Sequence, residues 1–177
     1  KQEEAREMQL TINDFNQEVF VINAKTMALE KTLQVVLNPT KIHKIDDRIY
    51  LISQGNYVDI PGALQVLDTE KGTFIPILEN VTKITEGDNG LVYGVCSTYD
   101  SNWQLTNSFF SYDPKRNNVS NGTFLQDAPS SFSTDAIYML EVDEKTGFIY
   151  VGTSDYVNTG TIYQFNRAGK LIQSFDS

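Results

Sequence analysis

"NPTKIHKIDDRIYLIS" spans residues 38–53 and "NVTKITEGDNGLVYGVCS" spans residues 80–97, so one short chain spells nearly the same phrase twice, 42 residues apart. A third copy, "DAIYMLEVDEKTGFIYVGTS", occupies residues 135–154. Each copy opens on Asn or Asp and ends its first segment on an acidic turn residue: Asp46, Asp88 and Asp143. Each then enters a run centred on Tyr50, Tyr93 or Tyr150. These runs are rich in β-branched and aromatic residues, as strands are. The turns before them, "DD", "GDNG" and "EKTG", are made of residues that close tight hairpins.

A further hairpin recurs between these phrases. It reads "VFVINAKTMALEKTL" (19–33), "ALQVLDTEKGTFIPIL" (63–78), "FFSYDPKRNNVSNGTF" (109–124) and "TIYQFNRAGKLIQSF" (161–175). Its turn begins at Asn23, Asp68, Asp113 and Asn166, at spacings of 45, 45 and 53. A complete unit is therefore four short strands, A to D, repeated about every 45 residues, and repeats of that length and composition build β-propeller blades. A β-sandwich would not require the threefold register. The expected fold is all-β: blades of four antiparallel strands with A innermost, in one partial propeller over 1–177. Its blades would be 1–37 (partial), 38–79, 80–126 and 127–177. Strands are predicted at 39–45, 48–54, 63–68 and 73–78, then 81–85, 91–97, 107–112 and 119–125, and finally 136–142, 148–153, 160–166 and 170–176. Helical periodicity is confined to the charged amino end. The longer third spacing comes from an insertion, "LQDAPSSFSTD" (125–135). Three blades and a hairpin leave the ring open, and open blade edges favour self-association.

The 23 acidic residues outnumber the 14 basic ones, for a net charge of −9. Nucleic-acid backbones and anionic membranes demand the opposite sign, so neither is the expected partner. No apolar run approaches the ~18 residues that cross a bilayer. A single cysteine, Cys96, and a single histidine, His43, provide neither a disulfide nor a cysteine-rich metal site. Cys96 sits in an apolar strand and reads as a small buried hydrophobe. No nucleophile elbow, phosphate loop or zinc-protease motif occurs. "EGDNG" lacks the acidic ladder of a calcium loop and reads as a turn. Asn-x-Ser/Thr triplets start at Asn80, Asn118 and Asn121, near chance for so Asn-rich a chain.

The blade register brings out two constellations. Asn38, Asn80 and Asp135 precede strand A and would face the channel mouth, where amide and carboxylate oxygens can hold a hard cation such as calcium. Equally, Asn and Asp there can simply turn the incoming loop. The loops joining strand B to strand C, "SQGNYVDIPG", "STYDSNWQLTNS" and "TSDYVNTG", carry Tyr57, Tyr99, Trp103 and Tyr156. Tyr and Trp offer large amphipathic contact area and are favoured at recognition surfaces. Packing against the neighbouring blade would use the tyrosines instead and leave only Trp103 free. The B–C and D–A loops lie on one face of a propeller. They are longer here than the turns of the opposite face, with Pro129 and Phe132 of the insertion expected to add a wall.

The segment "DEKTGFIYVGTSDYVNTGTIYQFNRAGKLIQSF" resembles the closing blades of YncE-like, surface-layer-type propellers of Bacteroidales. "VINAKTMALEKTL" and "GALQVLDTEKG" are similar to that family's Asn/Asp turn followed by a Lys-Thr outer strand. The resemblance runs from about Phe15 onward. It implies a seven-bladed ring, exported to the cell surface or periplasm, often a lipoprotein, with nutrient capture beside an outer-membrane transporter in some members. The chain departs from that pattern: it has no lipobox and no amino-terminal blades, and it stops where the family continues. The expected function is a non-enzymatic module that binds a small molecule or a partner protein on the B–C/D–A face, with no cofactor. The alternative is a metal-assisted, lactonase-like hydrolase at the channel mouth.

Overall fold

The structure, a computed structural model, describes residues 16–122, 124–154, 156–157 and 159–176. A two-stranded hairpin, β1 (Glu18–Ile22) and β2 (Leu29–Gln34), comes first. Three four-stranded sheets follow in chain order: β3 (Pro39–Ile45), β4 (Arg48–Ser53), β5 (Ala63–Asp68) and β6 (Thr73–Glu79); β7 (Val81–Glu86), β8 (Val92–Tyr99), β9 (Leu105–Asp113) and β10 (Asn118–Asn121); β11 (Ala136–Val142), β12 (Ile149–Ser154), β13 (Thr161–Phe165) and β14 (Leu171–Asp176). Within each sheet sequential strands pair antiparallel. The chain is a partial β-propeller.

The repeated Asn/Asp residues act as turn formers. Asp68 Oδ1 accepts the backbone N–H groups of Glu70 and Lys71 at 3.0 Å each. Asn23 Oδ1 does the same for Lys25 and Thr26, and Asn166 Oδ1 for Ala168 and Lys170. A side chain that mimics a backbone acceptor fixes the C–D turn and hence the strand register. The Asp68 carboxyl is held below its ordinary range, first by the Lys71 N–H.

Two apolar layers join the sheets face to face. Ile52, Leu64 and Tyr50 meet Val81, Val92 and Phe110 between the first and second four-stranded sheets. Tyr93 and Val95 meet Leu140, Ile149, Val151 and Phe165 between the second and third. Gly94 has to be glycine: a Cβ there would run into the Phe110 ring and lie 2.9 Å from the Lys83 carbonyl. Buried amides hold the incoming segments. Gln65 bonds the Val36 N–H (2.9 Å) and the Ser53 hydroxyl (3.0 Å), tying the hairpin's exit to β5.

Two details depart from the sequence reading. The strand predicted over 119–125 ends at Asn121. Gly122 turns in the left-handed region (φ +68°), and Phe124 and Leu125 drop into the second apolar layer. Phe124 stacks on Tyr93 at 4.3 Å and 4°. Burying two large apolar side chains, worth about 1.5–3 kcal/mol each, outweighs extending the outermost ladder. Phe132, expected as a wall of the loop face, is instead core. The 3-10 turn Ser130–Ser133 points it inward, where it is 2% exposed among Phe109, Tyr163 and Phe165. The charged amino end and Thr123, which completes the Asn121 triplet, lie outside the described residues. Among the described residues no helix is long and apolar enough to cross a membrane.

Candidate functional site

The B–C loops are short scaffolds that hold aromatic side chains outward. Asn56 Oδ1 accepts the N–H groups of Val58, Asp59 and Ile60 at 2.9–3.1 Å, closing a loop with Tyr57 at its tip. Gly55 (φ +68°) permits this closure, since a Cβ would collide with the Ile60 carbonyl. Asp100 plays the same part in the next loop, accepting the N–H groups of Asn102 (2.8 Å) and Gln104 (2.9 Å) around Trp103. Ser154 Oγ accepts the Tyr156 N–H at 3.0 Å in the last loop.

Tyr57, Trp103 and Tyr156 all have left-handed backbones, with φ of +60°, +59° and +65°. Bulky residues rarely adopt that region, and such outliers gather at functional sites. Their side chains stay 64%, 74% and 73% exposed. Strain without compensating burial gives these residues no role in the apolar layers.

The structure brings three of the four predicted aromatics together. Tyr57, Tyr99 and Trp103 line one cleft of about 680 Å³ between the β3–β6 and β7–β10 sheets, with Lys41 and Lys83 among its other lining residues. Tyr99 and Trp103 lie 6.2 Å apart and are inclined at 53°. Tyr156 is placed elsewhere, edge-on to Tyr138 at 5.5 Å and 69°. A hydrogen bond with Tyr156 and then partial desolvation, with smaller contributions from Tyr156 and Tyr99, hold the Tyr138 hydroxyl above its ordinary range. Tyr138 was not foreseen. Its signal is an aromatic at the strand-A bulge, the place held by Thr40 and Thr82 in the other sheets.

Asn38 and Asn80 open β3 and β7 on left-handed backbones (φ +60° and +59°). Their carbonyls accept the N–H groups of Gln54 and Ser97 at 2.9 Å each, so both residues serve as loop turners. Asp135 is not their equivalent. Pro39, Val81 and Ile137 share one rung, opposite Ser53, Cys96 and Thr153, so the matching position in the last sheet is Ala136. The Asp135 carbonyl accepts the buried Asn107 amide at 2.6 Å. Among the described residues no group of three His, Cys, Asp or Glu side chains is placed to hold a metal. Asn80 lines the aromatic cleft, whereas Asn38 and Asp135 do not.

The A–B turn face carries a different cavity of about 520 Å³, lined by Glu86, Asp88, Glu141, Asp143 and Glu144 together with His43 and Arg167. The His43 pKa is lowered, first by burial and then by the charge of Lys41. The two cavities thus differ: one carries three aromatics with two lysines and two aspartates, the other five acidic residues with His43, Lys44 and Arg167.

No protein-family profile matches the sequence, and no curated protein matches it. Solved structures do. The β-propeller domain of the Trilobed protease from Pyrococcus furiosus, described as having an open velcro topology, aligns with a TM-score of 0.56 at 10% identity. That alignment covers 79% of this chain and 42% of the other. The GH74 xyloglucanase from Xanthomonas campestris aligns with a TM-score of 0.51 at 12% identity, over 89% of this chain and 23% of the other. This chain thus spans less than half the length of either. At these identities the likeness is one of propeller fold.

Proposed function

We propose that the chain is a non-enzymatic recognition module whose B–C/D–A face binds a small molecule or a partner protein in the cleft between the β3–β6 and β7–β10 sheets. The observation that carries this reading is the set of exposed aromatics, Tyr57, Tyr99 and Trp103, around one cleft, two of them on strained backbone. Aromatic anchors of this kind dominate binding energy at recognition surfaces. Loops positioned by a rigid scaffold are where binding residues concentrate. The YncE-like resemblance adds an exported, cell-surface or periplasmic setting, with an outer-membrane transporter as a neighbour for nutrient capture.

The test is a binding screen on wild type and Trp103→Ala. Any ligand found should bind the variant at least about 2 kcal/mol more weakly, with the thermal midpoint nearly unchanged because Trp103 is 74% exposed. A ligand mapped by crosslinking to the A–B turn face, or a variant that unfolds, would contradict the assignment.

A further inference from the structure

Lys41 and Lys83 occupy the same rung of neighbouring inner strands, opposite Ile52 of β4 and Val95 of β8. The register therefore puts the two residues at matching positions of adjacent strands, and both line the aromatic cleft, where the charge of Lys41 acts on Lys83. Among the described residues neither has a carboxylate within ion-pair distance. Among the described residues the ion pairs are Lys71–Asp68 and Arg116–Asp113, both on outer turns. The carboxylates that do line the cleft are engaged in their own loops. Asp59 accepts the Asn56 amide at 2.7 Å, and Asp100 closes the Trp103 turn. Lys83 is half-buried, and its pKa is lowered first by that burial and then by Lys41. Two like charges held together without a partner, one partly desolvated, are relieved when an anion sits between them.

The aromatic rings define what carries the anion. Tyr99 and Trp103 are inclined at 53°, so they form an open wedge rather than a parallel slot. A flat aromatic ligand prefers parallel or edge-on partners. A puckered pyranose presents C–H groups on inclined faces and suits a wedge better. The cleft also offers the Gln54 amide and the Thr98 and Ser101 hydroxyls, the hydrogen-bonding groups that sugar hydroxyls use.

We infer that the cleft takes an acidic saccharide, its carboxylate or sulfate held by Lys41 and Lys83 and its ring laid against Trp103 and Tyr99. This rests on the cleft being the binding face, as proposed above.

The experiment is a glycan array probed with the whole chain, containing neutral, uronate, sialylated and sulfated oligosaccharides, followed by titration calorimetry on the strongest hit. Wild type should retain acidic glycans at least about tenfold better than neutral ones, with affinity falling as salt rises. The uronate and sulfate arms tell which anion is read. The double variant Lys41→Gln/Lys83→Gln should lose that preference and its salt dependence while keeping its thermal midpoint. Trp103→Ala should weaken acidic and neutral sugars alike. Equal binding of neutral glycans, or a preference that survives the lysine replacements, overturns the acidic class while leaving the recognition reading intact. Binding of an acidic peptide but no glycan by wild type also overturns it. If no glycan binds and the small-molecule screen is empty as well, the recognition reading fails with it.

Discussion

Phe132→Ala separates a core residue from a binding-face residue, because the two roles predict opposite results. Phe132 is 2% exposed and contacts Tyr163 at 4.9 Å (80°), Phe109 at 5.8 Å and Phe165 at 6.1 Å. Its carbonyl accepts the buried Asn107 amide at 2.9 Å. A buried phenylalanine removes roughly 150–250 Å² from water. Full burial of such a side chain is worth about 1.5–3 kcal/mol, of which alanine keeps a minor part. The cavity and the lost edge-on ring pairs add to the loss, giving an expected destabilisation of about 3–5 kcal/mol. The backbone-mediated Asn107 bond survives the substitution, so the polar clamp should not contribute. Urea unfolding followed by circular dichroism reads the change as a lower midpoint at an unchanged slope. A loss below about 1 kcal/mol would refute the placement. It would mean that the 125–135 insertion lies on the surface, and Phe132 would return to the binding face.

Stability should fall as pH drops from about 7 to 5. The His43 pKa is lowered in the folded state by burial and by Lys41, so its contribution is complete above the unfolded value of 6.5 and is lost on acidification. His43→Gln should flatten that part of the profile in thermal melts. Burial pushes the Cys96 thiol up to about 11, with a hydrogen bond to Ser108 opposing it. Alkylation at mildly alkaline pH should therefore run at least about tenfold slower on folded than on urea-unfolded protein, and equal rates would refute the burial argument. Phe20, Ile22 and Leu29 on the first hairpin and Leu171, Ile172 and Phe175 on the last strand are exposed. Light scattering coupled to size exclusion should show concentration-dependent dimers or larger species, and a strict monomer at all concentrations would contradict self-association.

The strand plan follows from local sequence. Asn23, Asp68, Asp113 and Asn166 mark hairpins because a short side-chain acceptor can close a turn using only its own neighbours, and alternation of β-branched and aromatic residues then sets the strands. Both are local chemistry, readable along the chain. Tertiary structure decided where Phe132 and Phe124 go, since an apolar residue in a loop points to whichever sheet face is empty. It also decided that Asp135 stands out of step with Asn38 and Asn80. The strand-A bulge is common to all three sheets, but Asp143 follows Glu141, which faces Tyr150, by two residues, whereas Asp46 and Asp88 follow His43 and Thr85, which face Tyr50 and Tyr93, by three. Only the packing of neighbouring blades placed Lys41 and Lys83 together beside Trp103. They are 42 residues apart in sequence, and nothing local records that two strands share a wall.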